Sequence, residues 1–216
     1  MKWQTPPISW DGLFRERAAP RSFARGQALM HIGQVPSEVL LLLSGWVKVS
    51  ATTSAGRTVL LALRGPGDLV GELSALDEEP RSASIEAIEP VQALAMTHER
   101  FRALLRERPD TALTLMRELS ARLRDADAKR IQLGTYTTVE RVGLCLLELC
   151  ERFGQEEDGA IEIALPLSQE ELASWAGASL ESVGRALQQM RGLGWIETRR
   201  RAIRVVDSAA LRNAVG

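Results

Sequence analysis

Residues 165–207 read LPLSQEELASWAGASLESVGRALQQMRGLGWIETRRRAIRVVD, and this stretch carries the densest set of structural signals in the chain. Ser168 precedes Glu171 by three residues, the spacing of a capping box, in which each side chain bonds a free main-chain amide at a helix start. Gly177 then interrupts the helix, and Ser179 can cap a second one. Two helices joined by a short turn that contains glycine have the layout of a helix-turn-helix.

The second predicted helix, which runs to about Arg191, has two unlike faces. Val183, Leu187 and Met190 recur at helical spacing and are expected to pack inward. The opposite face carries the polar residues Glu181, Ser182, Arg185 and Gln189. Two short strands follow, WIET and AIRVV, around the basic residues Arg199, Arg200 and Arg201. Such a hairpin is typical of a wing whose tip offers cations to DNA phosphates.

These features together predict a winged helix-turn-helix that binds double-stranded DNA. Arg185 is suited to bond guanine O6 and N7, and Glu181 can accept from a cytosine amino group. The alternative is a small helical domain with a solvated arginine turn. The candidate DNA-binding residues are Ser168, Gln169, Ser179, Leu180, Glu181, Ser182, Arg185, Gln189, Arg199, Arg200 and Arg201.

The first hundred residues have a different pattern, with glycines at regular intervals between short apolar runs such as EVLLLL, TVLLAL and VQALAM. Short strands separated by turn residues every ten residues or so imply an antiparallel sandwich or barrel. Together with the helical C-terminal part, this makes the chain an α+β protein. Composition adds little, because 45% hydrophobic residues and a net charge of −1 are ordinary for a globular protein.

A helical repeat of alternating four and three residues follows from about His98, with Arg130 interrupting it. Its members are Ala112, Met116, Leu119, Leu123, Ala126 and Leu133. This is the spacing of a coiled-coil seam. It predicts a long dimerisation helix and a parallel homodimer, the alternative being a helix that packs on its own domain. The helix should stop near Gly134, and the capping-box spacing of Thr137 and Glu140 starts the next one. We place the domain hinge at residues 134–138.

Several function classes find no support in the sequence. We find no catalytic triad, no phosphate-binding G-x-x-x-x-G-K-[ST] loop and no metal-spaced histidine cluster, so we do not expect an enzyme. Cys145 and Cys150 are the only cysteines, which argues against an iron–sulfur cluster. His31 and His98 are read as structural residues, not as haem ligands. The longest aliphatic run, at residues 39–43, is too short to cross a bilayer, and the start resembles no signal peptide, so a cytoplasmic protein without a membrane partner is expected.

A second informative stretch, GPGDLVGELSALDEEPRSAS at residues 65–84, lies before the helix. With LSQEELASWAGASLESVGRAL at residues 167–187, it makes the chain similar to the CRP/FNR family of transcription regulators, from Gly26 to Val206. The resemblance implies a β-roll or jelly-roll sensor domain over 1–100, a dimerisation helix over 101–134 and a winged helix-turn-helix over 135–216. It also implies contact with RNA polymerase and a small effector, cAMP or another cyclic nucleotide, while the cysteines and histidines of this chain give no support to a metal, haem or iron–sulfur cluster.

The residues of this second stretch suit a nucleotide on chemical grounds. Gly71 lets the backbone approach a ligand, Arg81 and Ser82 offer donors to a phosphodiester, and Glu72 can accept from a ribose hydroxyl. The alternative is a turn that closes the barrel, with Glu72 and Arg81 as an internal ion pair. The effector-binding residues that the resemblance implies are Gly71, Glu72, Leu73, Ser74, Arg81, Ser82, Ala83, Ala126 and Asp127.

Two departures from the family pattern bear on specificity. Where cAMP-responsive relatives present a Thr-Ser or Thr-Asn pair to adenine, this chain has Ala126 and Asp127, and an ionised aspartate can only accept, which suits guanine at least as well. We therefore hypothesise an effector other than cAMP, cGMP being the first to test, or activity without a ligand in a constitutive regulator. Leu180 replaces a base-reading arginine and can contact a thymine methyl, so an operator altered from the family's GTGA-type half-site is expected. A nucleotide-binding regulatory subunit that does not bind DNA is the remaining alternative.

Overall fold

The computed structural model describes residues 10–54, 56–164, 167–199 and 202–215. The chain divides into two compact units, residues 1–126 and 127–216. The first combines antiparallel sheets with helices, and the second is a helical domain with one small sheet. The predicted α+β fold class is therefore confirmed.

The first unit contains a short helix and eight described strands, in two four-stranded sheets. The elements are α1 (Trp10–Arg15), β1 (Ala19–Phe23), β2 (Ala28–Met30), β3 (Glu38–Ser44), β4 (Val47–Thr52), β5 (Thr58–Arg64), β6 (Leu69–Val70), β7 (Ser84–Ala87) and β8 (Val91–Thr97). One sheet has the order β1-β8-β3-β6 and the other the order β2-β7-β4-β5, with every pair antiparallel.

Strand β3 lies between two hydrophobic clusters, which explains its continuous apolar run. Val39 and Leu41 belong to one cluster, which also holds Trp10, Phe14 and Phe101. Leu40 and Leu42 point the other way, into a cluster formed with residues of the second sheet. All four residues from 39 to 42 are at most 1% exposed. A strand that is covered on both faces needs apolar side chains at successive positions, because neighbouring side chains alternate between the faces.

Helix α2 (Glu72–Asp77) lies between β6 and β7, and α3 (His98–Glu107) and α4 (Pro109–Thr135) follow β8. The helix predicted over 101–134 is thus in fact two helices. Arg108 leaves the helical conformation, with φ −130° and ψ 85°, because proline disfavours helical backbone at the residue before it. Pro109 itself is tolerated at the first position of α4, where its missing N–H costs nothing. The end of α4 at Thr135 agrees with the stop expected near Gly134.

The second unit contains the last residues of α4 and a winged helical domain. Its elements are α5 (Thr138–Phe153), β9 (Gly154–Glu157), β10 (Ala160–Ala164), α6 (Gln169–Trp175), α7 (Leu180–Gly192), β11 (Ile196–Arg199), β12 (Ala202–Val205) and α8 (Ser208–Val215). The strands form one antiparallel sheet in the order β11-β12-β10-β9. The acidic residues that follow α5 are part of a strand, because residues 154–157 pair with β10. The dipeptide Asp-Gly at 158–159 is a common hairpin turn, and the sequence reading overlooked it.

The predicted helix starts are confirmed in detail. The Thr137 hydroxyl accepts from the amide of Glu140, and the Glu140 carboxylate accepts from the amide of Thr137. Ser168 and Glu171 form the same reciprocal pair at the start of α6. Ser179 caps α7 by accepting from the amide of Ser182. Each cap satisfies amides that the first helical turn leaves without a partner.

We expect Thr137→Ala to lower the free energy of unfolding by about 1 kcal/mol, because the first turn of α5 loses its cap. The matched control is Thr135→Ala, whose hydroxyl donates to the carbonyl of Ile131 and satisfies no free amide. The control should change stability by less than about 0.5 kcal/mol. Urea unfolding of both variants measures the difference, and equal effects would show that the cap is not needed.

Candidate effector and DNA-binding sites

The segment from Gly71 to Ala83, here called the cassette, begins with a close backbone approach. Gly71 has φ +80°, and a Cβ atom at this position would lie 2.6 Å from both Arg81 Nη1 and Met30 Cε. A side chain at position 71 would therefore displace the guanidinium or the methionine. The sequence suggested that this glycine makes room for a ligand, and the groups that approach it here are protein side chains.

Arg81 is almost fully buried and bonds the main chain. Its side chain donates from Nη1 to the carbonyl oxygen of Gly71 at 2.7 Å and from Nη2 to that of Glu38 at 2.5 Å. Burial lowers the pKa of this guanidinium, yet arginine keeps its charge in proteins. A guanidinium has five N–H donors, so three remain after these two bonds. The remaining donors suit an anion such as a phosphodiester. Because Arg81 is 6% exposed, that anion would have to reach a buried position.

Glu72 is paired with the long helix instead of with Arg81. It is 3% exposed and accepts a hydrogen bond of 2.7 Å from Nη1 of Arg122, in α4. Arg122 also donates to the carbonyl of Leu69 at 2.9 Å and lies 3.8 Å from a carboxylate oxygen of Asp68. The alternative considered above, an ion pair between Glu72 and Arg81, is therefore not formed: Glu72 pairs with Arg122, and Arg81 bonds main-chain carbonyl groups.

Sequence reasoning missed Arg122, although a signal for it exists. It follows Leu115 and Leu119 at helical spacing, and both of these leucines belong to or pack against the core of the first unit. An arginine on the inward face of a helix calls for a buried acceptor. The carboxylates of Asp68 and Glu72, in the stretch already singled out, were the candidates.

The other predicted effector residues are divided between buried and exposed positions. Ser74 is buried, Ala83 is half-buried, and Leu73 and Ser82 are exposed. Ala126 is exposed on α4 in the first unit, and Asp127 is exposed in the second. The structure therefore brings together Gly71, Glu72 and Arg81, and it leaves Ser82 on the surface.

His98 lies close enough to Arg81 to sense its charge. Burial lowers the pKa of this imidazole, and the positive charge of Arg81 lowers it further. Its Nε2 atom is buried and has no hydrogen-bond partner among the residues the structure describes. The imidazole is therefore a natural reporter of any change in charge at Arg81.

Helix α7 presents one buried and one exposed face, as predicted. Val183, Leu187 and Met190 are at most 5% exposed. Leu180, Glu181, Arg185 and Gln189 are exposed, while Ser182 is half-buried. Arg185 forms an ion pair with Glu181, one turn earlier, and donates to the Ser182 hydroxyl at 3.1 Å. The two residues expected to read bases therefore bind each other in the free protein.

The other predicted DNA-binding residues lie in the segments before and after α7, at the start of α6 and at the end of β11. Arg199, at the end of β11, lies 3.1 Å from a carboxylate oxygen of Glu162 and 3.8 Å from one of Glu197. Ser168 and Gln169 are exposed at the start of α6. Arg200 and Arg201, also predicted to bind DNA, lie outside the described residues.

The remaining reactive groups do not form a site. Burial raises the pKa of Cys145 to about 12 and that of Cys150 to about 11, so neither thiol is ionised near neutral pH. In the described part of the chain, no three His, Cys, Asp or Glu residues are grouped so that they could hold a metal ion. Nor does any helix of that part combine the length and apolar character needed to cross a membrane.

Comparison with known proteins identifies both units. Residues 20–108 match the cyclic nucleotide-binding domain family, and residues 140–214 match the Crp-like helix-turn-helix domain family. The chain is 35% identical over 192 residues to a CRP-like cAMP-activated global transcriptional regulator of Mycobacterium tuberculosis, covering 89% of this chain and 86% of that protein.

Two proteins of Thermus thermophilus are also similar. A cyclic AMP receptor protein is 33% identical, with 88% of this chain and 85% of the relative covered. The crystal structure of a transcriptional regulator of the CRP/FNR family superposes with a TM-score of 0.79 at 24% identity, covering 91% of this chain and 98% of the other. The domain matches, the curated relatives and the shared fold agree, and the chain belongs to the CRP/FNR family of transcription regulators.

Proposed function

We propose that this regulator binds double-stranded DNA as a homodimer, through α7 of each copy, and that a cyclic nucleotide bound at the cassette controls the binding. The observation that carries the DNA-binding part is the exposed polar face of α7, opposite a fully packed apolar face. A helix held in this way can enter a major groove, where its first residues reach the base edges.

The side chains of α7 and the wing divide into two kinds of contact. Glu181 and Arg185 exchange their mutual ion pair for cytosine and guanine edges, which read sequence. Leu180, 47% exposed at the first position of the helix, contacts a thymine methyl. Arg199, together with Arg200 and Arg201 that follow it in the sequence, binds phosphates, which fix register without reading sequence.

The homodimer rests on an exposed apolar stripe of α4. Met116 and Leu123 are 60% and 64% exposed, and exposed apolar side chains grouped on one face can mark a protein–protein contact. They are seven residues apart and so share a face, which is the spacing of a parallel two-helix seam. Leu119, between them, packs on the core of its own unit, so α4 uses one face inward and offers the next face to a second copy.

The effector part rests on the donor set of the cassette. Arg81 retains N–H donors for a phosphodiester, and Glu72 is an acceptor for a ribose hydroxyl. The M. tuberculosis and T. thermophilus relatives are named for cAMP. We infer from them that this chain also binds a cyclic nucleotide. Ala126 and Asp127 favour a base other than adenine, and cGMP is the first candidate.

Control by such an effector requires that it bind the DNA-competent state more tightly than the other state. The pair of recognition helices in a dimer then faces half-sites about 34 Å apart. As a bacterial-type regulator, the protein would act in the cytoplasm together with RNA polymerase, without enzymatic activity, metal, haem or iron–sulfur cluster. A subunit that binds a nucleotide but no DNA is disfavoured by the match of residues 140–214 to the Crp-like helix-turn-helix family.

Nucleotide binding can be followed at His98. A phosphodiester beside Arg81 offsets the positive charge that lowers the His98 pKa, so this pKa should rise when nucleotide binds. NMR titration of the two histidines with and without cGMP or cAMP measures the shift, and His98→Gln assigns the signal.

The control is Arg81→Gln, which should raise the His98 pKa without nucleotide and abolish any further change. Calorimetry on the same samples should give cGMP at least as much affinity as cAMP. Tight, saturable binding of cAMP alone would contradict the role given to Asp127. Neither heat nor a pKa shift with either nucleotide would leave the constitutive regulator as the better explanation.

Leu123→Ser should weaken the homodimer. Each dimer buries two copies of this leucine, so the loss is roughly 3 kcal/mol, or about a hundredfold in the dimer dissociation constant. Sedimentation equilibrium over a concentration series measures it. Leu193→Ser, at a leucine that is 52% exposed in the second unit, is the matched control and should leave the dimer unchanged. A wild-type monomer at micromolar concentration would refute the proposed assembly.

Mobility-shift assays on an operator selected from random DNA should distinguish residues that read bases from residues that bind phosphates. Arg185→Ala should cost about 1–3 kcal/mol and relax preference at one base position in each half-site. Arg199→Ala should weaken all sequences by a similar factor and lower the salt slope by about one per copy. Arg117→Ala, exposed on α4, controls for loss of charge. Uniform weakening by Arg185→Ala would mean that this arginine does not read a base.

A further inference from the structure

The last turns of α4 contact the turn between α6 and α7, all within the second unit. A Cβ atom at Gly177 would lie 2.2 Å from Leu133 Cδ2, so the leucine rests directly on this turn. One helical turn earlier, the Lys129 ammonium lies 5.1 Å from the ring centre of Trp175. Trp175 is the final residue of α6 and is 8% exposed. Two side chains of α4 thus pack on the helix-turn-helix.

Arg141, in the first turn of α5, joins the same two parts by hydrogen bonds. Its Nε donates to the carbonyl of Ala176 at 2.7 Å, and its Nη2 reaches that of Gly177 at 3.4 Å. Its Nη1 donates to the carbonyl of Tyr136 at 2.6 Å. One planar guanidinium therefore connects the junction between α4 and α5 to the turn that precedes the recognition helix, a geometry that the fixed fork of arginine supports.

These contacts surround the segment that sequence reasoning chose as a hinge. Gly134 lies within α4, one residue before its end, and the capping box at Thr137 begins α5 almost immediately. Residues 134–138 are therefore bounded by ordered helices on both sides, with Leu133 before them and Arg141 after them. Both of these flanking residues contact the turn between α6 and α7.

We propose that Arg141 and Leu133 hold the end of α4 and the helix-turn-helix as one block, so that Arg141 is a positioning residue for the recognition helix and residues 134–138 move with that helix. This inference rests on the proposed DNA binding. A purely structural role for Arg141 would affect binding to one half-site and to two half-sites alike. A block that sets the direction of α7 matters most when two recognition helices must meet two half-sites at fixed spacing.

The experiment compares the selected two-half-site operator with a duplex that carries one half-site, using the full chain. Arg141→Gln should lower affinity for the complete operator about tenfold, the size expected for losing two or three hydrogen bonds. Its affinity for the single half-site should stay within about twofold. Arg141→Lys, which offers a single ammonium group in place of the planar guanidinium, should recover part of the lost operator affinity. Leu133→Ala should behave like Arg141→Gln, and because Leu133 also belongs to the predicted seam, sedimentation equilibrium must show an unchanged dimer for this variant. Its matched control is Ile131→Ala, at a neighbouring residue that is 63% exposed.

Gly134→Ala distinguishes a block from a hinge. A Cβ atom at this position meets nothing within 4 Å, so alanine fits and stiffens the helix. The block predicts both affinities within about twofold of wild type. The inference is overturned if Gly134→Ala alters operator affinity as much as Arg141→Gln does. It is also overturned if Arg141→Gln lowers both affinities equally, or neither.

Hydrogen exchange keeps this inference separate from the proposed function. Arg141→Gln should speed exchange of the amides of residues 134–138 and 176–178 together, in the absence of DNA. If the wild-type protein selects no operator, the proposed function fails, and exchange alone decides whether the block exists. Unchanged exchange in both segments would refute the block whatever the protein binds.

Discussion

The buried charge of Glu72 constrains how the elements of the first unit are held together. A carboxylate that is 3% exposed needs a partner, because an unpaired buried charge costs several kcal/mol. That partner is Arg122, which also binds the carbonyl of Leu69 at 2.9 Å. Strand β6, the start of α2 and the middle of α4 are thus fixed by one guanidinium. Removing Arg122 would leave the Glu72 carboxylate buried and unpaired, so the position of the long helix and the shape of the cassette are not independent.

Arg81 resolves a similar problem in another way. Its guanidinium donates to the carbonyl groups of Gly71 and Glu38, and the nearby carboxylates of Glu38 and Glu72 favour its charged form. The positive charge of Arg81 in turn lowers the pKa of His98. A negatively charged ligand is the natural complement of such a site. An internal ion pair with Glu72 would have neutralised it. The separation of the two residues, one paired with α4 and one not, is what leaves the cassette suited to an anion.

Local signals in the sequence predicted local structure well. Capping boxes at Thr137 and Ser168 marked helix starts because the chemistry is contained in four residues. The helical spacing of Val183, Leu187 and Met190 identified the buried face of α7 for the same reason. The sequence reading failed where the signal was overlooked, as with the break before Pro109, or where partners are distant in the chain. Arg122 and Glu72 are fifty residues apart, and the bond from Arg141 Nε to the Ala176 carbonyl spans thirty-five residues. No spacing rule connects such pairs.

The long helix carries both of the contacts on which regulation would depend. Arg122 ties it to the cassette in the first unit, and Leu133 ties it to the helix-turn-helix in the second. A helix is a cooperative element, because each residue it orders is bonded to the turn before it, and residues 109–135 belong to one helix. A carboxylate has several acceptor positions and Arg122 occupies one of them, at Oε1, so a ligand hydroxyl on Glu72 would share this carboxylate with Arg122. An effector at the cassette and the placement of α4 would then meet at one carboxylate, and α4 also bears Leu133, which packs on the turn before the recognition helix.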